Sequence, residues 1–199
     1  MSNKSFNYTF KFYEENAKAY FKSSIDVDLT HLYPSLLNLL PIAAKILDAG
    51  CGSGRDTKYF KDNGYMVTAF DASAALAHLA SEYSGLDVQQ NTFESIKYTN
   101  EFDAVWACAS LLHLSQSDLS IALASLAKAC KDEGLIFASF KTTESASNDG
   151  RSFYYYEMVD IEPIINSLPS ISVLRYWYTG DALHRADTNW LNLLLKVSR

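Results

Sequence analysis

The sequence predicts an α/β fold, a mostly parallel sheet wound with helices on both faces and finished at one edge by an antiparallel hairpin. Three observations predict it. Short apolar runs alternate with helix-period segments along most of the chain, the pattern that builds parallel βαβ units. One strand-to-helix turn carries Gly50, Gly52 and Gly54 at alternate positions, and the next strand ends on Asp71. The last two β-rich runs, 171–179 and 189–197, are separated by about ten residues, too few for a helical crossover, so they pair as a hairpin.

Taken in order, the chain opens on an aromatic stretch, with Phe6, Tyr8, Phe10, Phe12, Tyr13, Tyr20 and Phe21. Tyr13, Ala17 and Tyr20 share helical spacing and predict a short helix from about Tyr13, its apolar stripe plugging one end of the sheet. Residues 29–40 are apolar around Pro34, where a break or a helix start is expected. Ile46 and Leu47 form a short strand that stops at Asp48. Ser53 and Asp56 read as a capping pair for a helix reaching Asn63 and Gly64. Residues 65–70 form the next strand, ended by Asp71.

Ser73 then caps a helix that Gly85 stops, and a short strand follows at 86–90. Residues 102–109, FDAVWACA, are long enough only for a buried strand. Ser115 and Ser117 offer caps for an Ala/Leu-rich helix ending near Lys131, and Gly134 precedes a buried strand at 135–141. Residues 142–152 read as a polar loop. A helix over 157–168 contains Pro163, which a later start would accommodate. With no repeat, low-complexity tract or internal boundary, residues 1–199 read as a single domain.

Composition narrows the function. A 48% hydrophobic and 20% charged chain is ordinary for a globular protein. A net charge of −6 without a Lys/Arg cluster argues against nucleic acid as a partner. No apolar run has the length of a membrane span or the form of a signal peptide, so no membrane partner and a cytoplasmic location are expected. Cys51, Cys108 and Cys130 have neither disulfide-framework nor zinc spacing, and His31, His78, His113 and His184 form no ligand pattern, so no metal is expected.

The glycine turn carries the chemistry. Without Cβ atoms, the backbone can meet a polar ligand, and the helix behind it offers free N–H groups. A carboxylate at the tip of the second strand can accept hydrogen bonds from both hydroxyls of a ribose. Together they describe a nucleotide-type site. The spacing is G-x-G-x-G, which differs from the dinucleotide fingerprint G-x-G-x-x-G.

LDAGCGSGRD followed by VTAFDAS resembles the cofactor motif of class I S-adenosylmethionine-dependent methyltransferases. Within them it is similar to the small bacterial group of tellurite-resistance-type and ubiquinone-biosynthesis-type enzymes. The resemblance implies seven strands in the order 3-2-1-4-5-7-6, S-adenosylmethionine as cofactor and S-adenosylhomocysteine as product, with methyl transfer to a small-molecule acceptor. It also implies roles for individual residues. Gly50, Cys51 and Gly52 would face the methionyl part of the cofactor. Arg55 would reach its carboxylate, the alternative being a solvated helix-face arginine. Asp71 would hold the ribose, with Ala72 alongside. Thr92 and Phe93 would meet the adenine, where Thr92 departs from the usual aspartate and Phe93 offers ring packing instead. Ala107 and Cys108 would present carbonyls to the ammonium group.

YEENAKAY resembles the family's N-terminal segment that folds over the cofactor, which implies residues 1–40 as a helical cap and places Tyr13 and Tyr20 at the site. Methyl transfer from a sulfonium depends mainly on alignment and exclusion of water, so a general base is optional. His113, in Leu111-Leu112-His113, is the candidate base or acceptor anchor, the alternative being a histidine that orients its loop by bonding to backbone. Arg151 is a candidate substrate residue in the polar loop, favouring an anionic or polar acceptor. Whether the terminal hairpin turn, with His184 and Arg185, reaches the ligand end is left open by the sequence. A monomer or weak homodimer is expected. Two other readings stand beside this one: a catalytically idle S-adenosylmethionine-binding regulator, and an NAD-dependent oxidoreductase, which the glycine spacing and the hairpin both oppose.

Overall fold

The computed structural model describes residues 4–143, 151–183, 185 and 188–199. Seven strands form one sheet: β1 Lys45–Ala49, β2 Met66–Asp71, β3 Gln89–Gln90, β4 Phe102–Ala107, β5 Cys130–Lys141, β6 Ile171–Gly180 and β7 Asn189–Val197. Their order is β3-β2-β1-β4-β5-β7-β6. β7 runs antiparallel to both β5 and β6, and the remaining pairs are parallel. The expected hairpin and strand order are therefore both present.

Strand periodicity sorts the core into two layers. Leu47, Val105, Ala107, Ile136, Ala138 and Leu193 face helices α5 (Gln116–Ala129) and α6 (Met158–Asn166). Their sequence neighbours Ile46, Ala104, Trp106, Phe137 and Leu194 face α2 (Pro34–Leu37) and α3 (Arg55–Asp62). Apolar residues at consecutive strand positions are what a sheet covered on both faces requires.

Several local expectations hold for the stated reasons. α2 begins at Pro34. Ser73 Oγ accepts from the Leu76 N–H at the start of α4 (Ala74–Ser84), and Gly85 ends that helix in the left-handed region. Ser115 caps α5 in the same way.

Others are corrected. Helix α1 spans Lys4–Ser24, starting well before Tyr13, with its helical geometry interrupted at Asn16. Thr9, a turn before Tyr13, is already buried, and its polarity hid this in the sequence. β1 continues through Asp48 to Ala49, β3 shrinks to two residues, and β5 starts at Cys130, ahead of Gly134. Ser53 and Asp56 form no capping pair: Gly54 is the N-cap, at φ 77°, and no side chain caps the helix. The Asp56 carboxylate is drawn inward by stronger donors, described below. In α6 a capping box of Glu157 and Asp160 fixes the start one residue later than read, and Pro163 still lies inside the helix. It stands on the exposed face, where water can satisfy the carbonyl it leaves unpaired.

Gly54 has a structural task of its own. A Cβ there would lie 2.9 Å from Ala80 Cβ and 3.0 Å from Ala80 Cα, at a positive φ. The bare position lets α3 approach α4. Gly54→Ala is expected to destabilise the fold by about 1–3 kcal/mol, the range for overpacking a tight contact, read as a shift in denaturant midpoint at unchanged slope.

Candidate functional site

The chain leaves β3 and returns on the other side of β1 as β4, so the strand order reverses there and a crevice opens at the carboxyl ends of these strands. The hairpin turn also reaches this end. Trp190 pairs with Lys141 at the end of β5, and Gly180 pairs with Asn189. His184 lies outside the described residues, whereas Arg185 is found in the cavity wall.

Two chambers occupy the crevice. A large one, about 580 Å³, includes Arg55, Cys51, Cys108 and Arg151 in its lining. A small one, about 90 Å³, includes Asp71, Ala72, Thr92 and Phe93. They share Gly50, Gly52, Tyr13, Tyr20, Ala109 and His113. Ala107, expected at the site, lines neither chamber. Strand alternation turns its side chain into the core under α5, and Ala109 takes its place, with its N–H bonded to Ser139 Oγ at 2.8 Å.

At the waist between the chambers the glycine turn is bare. Gly50 and Gly52 both have positive φ, and a Cβ on Gly52 would approach Tyr20 Cε1 to 3.3 Å. Tyr20 packs edge-on to Tyr13, with ring centroids 5.0 Å apart. Asp71 is tied to the same turn: Oδ2 accepts from the Gly52 N–H and Oδ1 from the Ser73 N–H, each at 2.9 Å. Burial pushes its carboxyl up to about 6, against the pull of the Ser73 and Gly52 amides. Thr92 closes a local turn with Ser95 (Thr92 N–H to Ser95 Oγ, 2.8 Å), while Phe93 lies edge-on to Phe70.

Beneath the turn lies a buried polar cluster that sequence reasoning missed. Asp56 accepts from Tyr33 Oη at 2.8 Å, from Trp106 Nε1 at 2.8 Å and from Arg55 Nε at 2.6 Å. Burial acts to raise the Asp56 carboxyl, but these donors, Arg55 foremost, hold it below the ordinary range. Asp48 fares differently: burial and the nearby Asp56 charge push it up to about 8, although Thr57 Oγ1 donates to it at 2.5 Å. Arg55 is therefore no solvated helix-face arginine. Its side chain is 20% exposed, it grips Asp56, and Nη1 reaches the Ser24 carbonyl at 3.3 Å. The only sequence hint was composition, since Tyr33 and Trp106 are polar-tipped residues within apolar runs.

A second cluster joins α1 to the loops after β4 and β5. His113 Nδ1 lies 2.7 Å from the Ser152 carbonyl, and its Nε2 lies 3.0 Å from Tyr13 Oη. A carbonyl only accepts, so Nδ1 carries a proton and donates to Ser152. Arg151 Nη1 donates to Tyr13 Oη at 3.4 Å, and its guanidinium lies over Phe12 and Phe153. Tyr13, His113 and Arg151, far apart in sequence, thus meet at one phenol oxygen. The remaining wall was not foreseen: Lys141, Phe153, Asp181, Trp190 and Asn192 all line the large chamber. Asp181 binds Arg185 (2.6 Å) and the Trp190 indole N–H (3.0 Å). Among the described residues, no cluster of three metal-ligating side chains occurs, and no helix is long and apolar enough to cross a membrane.

Residues 46–134, from β1 into β5, match the methyltransferase domain family. An uncharacterized methyltransferase of Staphylococcus carnosus is 29% identical over 126 residues, 61% of each chain. A malonyl-[acyl-carrier protein] O-methyltransferase of Enterobacter lignolyticus is 41% identical over 66 residues, 32% of this chain and 26% of that one. The chain thus spans about three-fifths and about a quarter of the lengths of these two curated relatives. Among solved structures, the 1,6-didemethyltoxoflavin-N1-methyltransferase of Burkholderia thailandensis, determined with 1,6-didemethyltoxoflavin and S-adenosylhomocysteine bound, superposes with a TM-score of 0.75 at 19% identity. The match covers 98% of this chain and 91% of that one. The segment bearing the glycine turn is thus a match to the methyltransferase domain family, and the seven-stranded fold around it is that of the Rossmann-like methyltransferases.

Proposed function

We propose that this chain is an S-adenosylmethionine-dependent methyltransferase acting on a small-molecule acceptor. The observation that carries the reading is the pair of chambers meeting at the bare glycine turn beneath Tyr13 and Tyr20. The cofactor suits these residues. A cradle that one Cβ at Gly52 would fill suits a ligand met by backbone, and Asp71 at the adjacent strand tip suits a ribose. Gly50, Cys51, Gly52 and Arg55 would hold the methionyl end, with Cys108 alongside; Asp71, Ala72, Thr92 and Phe93 would hold the nucleoside end. Helix α1, within the N-terminal 1–40 segment, would cap both. The motif's likeness to the tellurite-resistance and ubiquinone-biosynthesis group supports a small acceptor. An idle cofactor-binding protein would have no use for the large chamber beyond the turn.

The bound cofactor supplies an electrophilic methyl group on a sulfonium. The chain's part is to align the acceptor for in-line displacement and to exclude water. Tyr13 and Tyr20 would form an aromatic ceiling whose ring faces attract a cation. His113 would act as a positioning residue, since its two nitrogens are engaged by the Ser152 carbonyl and Tyr13. With an acceptor in hand, His113→Ala is expected to lower the rate by less than the 10²–10⁴-fold of a lost general base and to leave the pH–rate profile unchanged. Loss of a limb near neutral pH would show that His113 takes the proton.

The direct test is thermal denaturation in parallel with S-adenosylhomocysteine, S-adenosylmethionine and NAD. The first two should raise the melting temperature and NAD should not; a shift with NAD alone would overturn the proposal. Asp71 adds a pH signature. Ribose hydroxyls donate best to an ionised carboxylate, and this one titrates at about 6. Affinity for S-adenosylhomocysteine should therefore rise as pH increases through about 6 and level off above it, with a proton released on binding below that point. Calorimetry in buffers of different ionisation enthalpy reads both effects, and an affinity flat from pH 5 to 8 would contradict the Asp71 contact.

A further inference from the structure

We infer that Asp56, braced by Tyr33 and Trp106, is a positioning residue for the cofactor: it fixes the Arg55 guanidinium so that its unused N–H bonds meet the carboxylate at the methionyl end. This rests on the methyltransferase reading above and gives the buried polar cluster beneath the turn a task in binding, exerted through Arg55.

Arg55 lines the large chamber together with Gly50, Cys51 and Gly52 of the bare turn. Asp56 clasps its guanidinium from one side: Oδ1 accepts from Nε at 2.6 Å and Oδ2 from Nη2 at 3.1 Å. Nη1 donates to the carbonyl of Ser24, the last residue of α1, at 3.3 Å. A guanidinium carries five N–H bonds, one on Nε and two on each Nη. Among the described residues three of them are engaged, which leaves one on each terminal nitrogen for a ligand. Paired N–H donors of this kind suit the two oxygens of a carboxylate.

Asp56 can hold the arginine because it is itself held. Tyr33 Oη donates to its Oδ1 and Trp106 Nε1 to its Oδ2, each at 2.8 Å. Both donors are buried, and their rings are fixed by stacking. Trp106 lies 3.9 Å from Phe137 at an interplanar angle of 12°, and Tyr33 lies 4.0 Å from Tyr59 at 25°. A buried ion pair seldom stabilises a fold more than apolar residues of equal volume would, so stability alone does not account for this arrangement. Binding does. A clasped arginine has already given up its side-chain freedom, so a ligand that meets it pays less ordering entropy. Asp56 also offsets the arginine's charge, so what remains for a carboxylate is a pair of aimed N–H bonds.

The test is calorimetry with S-adenosylhomocysteine and with its decarboxylated analogue, which keeps the sulfide and the ammonium. Wild type should bind S-adenosylhomocysteine at least about tenfold more tightly than the analogue, as expected of a charge-assisted contact. Both oxygens of Asp56 face an arginine donor, so Asp56→Asn sets an amide N–H against an Arg55 N–H in either orientation. The variant should lose most of the preference by binding S-adenosylhomocysteine more weakly and the analogue as before. Removing a negative charge would by itself tighten the binding of an anion, so the expected direction is opposite to that of charge alone. A folded Asp56→Asn protein that keeps the preference, or that weakens on both ligands equally, would overturn the inference. Tyr33→Phe removes one brace and keeps the ring, and it should lower the preference in the same sense. If Asp56→Asn does not fold, an unchanged preference in Tyr33→Phe decides against the inference. Wild type that binds S-adenosylhomocysteine no better than the analogue would end this inference and leave the methyltransferase reading standing. Failure of S-adenosylhomocysteine itself to bind would overturn both.

Discussion

Gly52→Val should abolish binding of S-adenosylhomocysteine, lowering affinity by at least about 100-fold, or about 2.7 kcal/mol. Gly52 sits at φ 56°, where a β-branched residue is a genuine outlier. Its missing Cβ faces Tyr20, whose Cε1 would lie 3.3 Å away, at the waist joining the two chambers. The branched side chain would therefore occupy the cradle and also press on the aromatic ceiling. It would further disturb the Gly52 N–H that donates to Asp71. Titration calorimetry checks the affinity, and circular dichroism checks that the variant is folded. Normal binding by a folded Gly52→Val protein would make the glycine turn purely structural. Gly54→Ala provides the contrast: its Cβ would meet Ala80 rather than the cavity, so stability should suffer more than affinity.

Asp71→Ala should weaken S-adenosylhomocysteine binding by about 1.5–3 kcal/mol, the worth of hydrogen bonds to a charged group. In the folded chain the carboxylate both lines the small chamber and orders the glycine turn through the Gly52 and Ser73 amides. Asp71→Asn separates the two tasks. An amide can keep one oxygen on a backbone N–H but cannot take donated bonds on both sides. It should therefore lose affinity while losing less stability than Asp71→Ala, and its affinity should no longer change with pH through about 6. Unchanged affinity in Asp71→Ala would remove this residue from the site.

The order of elements was legible because each is written locally. Apolar pairs such as Ile46-Leu47 and the run Val105 to Ala107 announce strands covered on both faces, and Ser73, Gly85 and Ser115 announce helix ends through their own hydrogen-bonding and φ preferences. The glycine turn was legible for the same reason, since the left-handed backbone at Gly50 and Gly52 favours glycine. Ser53 with Asp56 misled because a capping pair depends on where the carboxylate finds its strongest donors. Tyr33, Trp106 and Arg55 reach it through the fold, not along the chain.

By itself, then, the sequence determined the alternating fold, the terminal hairpin and the bare glycine turn between the two chambers, each governed by neighbours a few positions away. Only the tertiary structure decided that Tyr13, His113 and Arg151 share one phenol oxygen, that the hairpin turn closes the far wall, and that Asn192 is buried there. Those facts follow from strand register and from which loops meet at the sheet's carboxyl end. Hydrogen bonds and charges act over a few ångströms in space, and a separation of 100 residues between Tyr13 and His113 leaves no periodic trace in the chain.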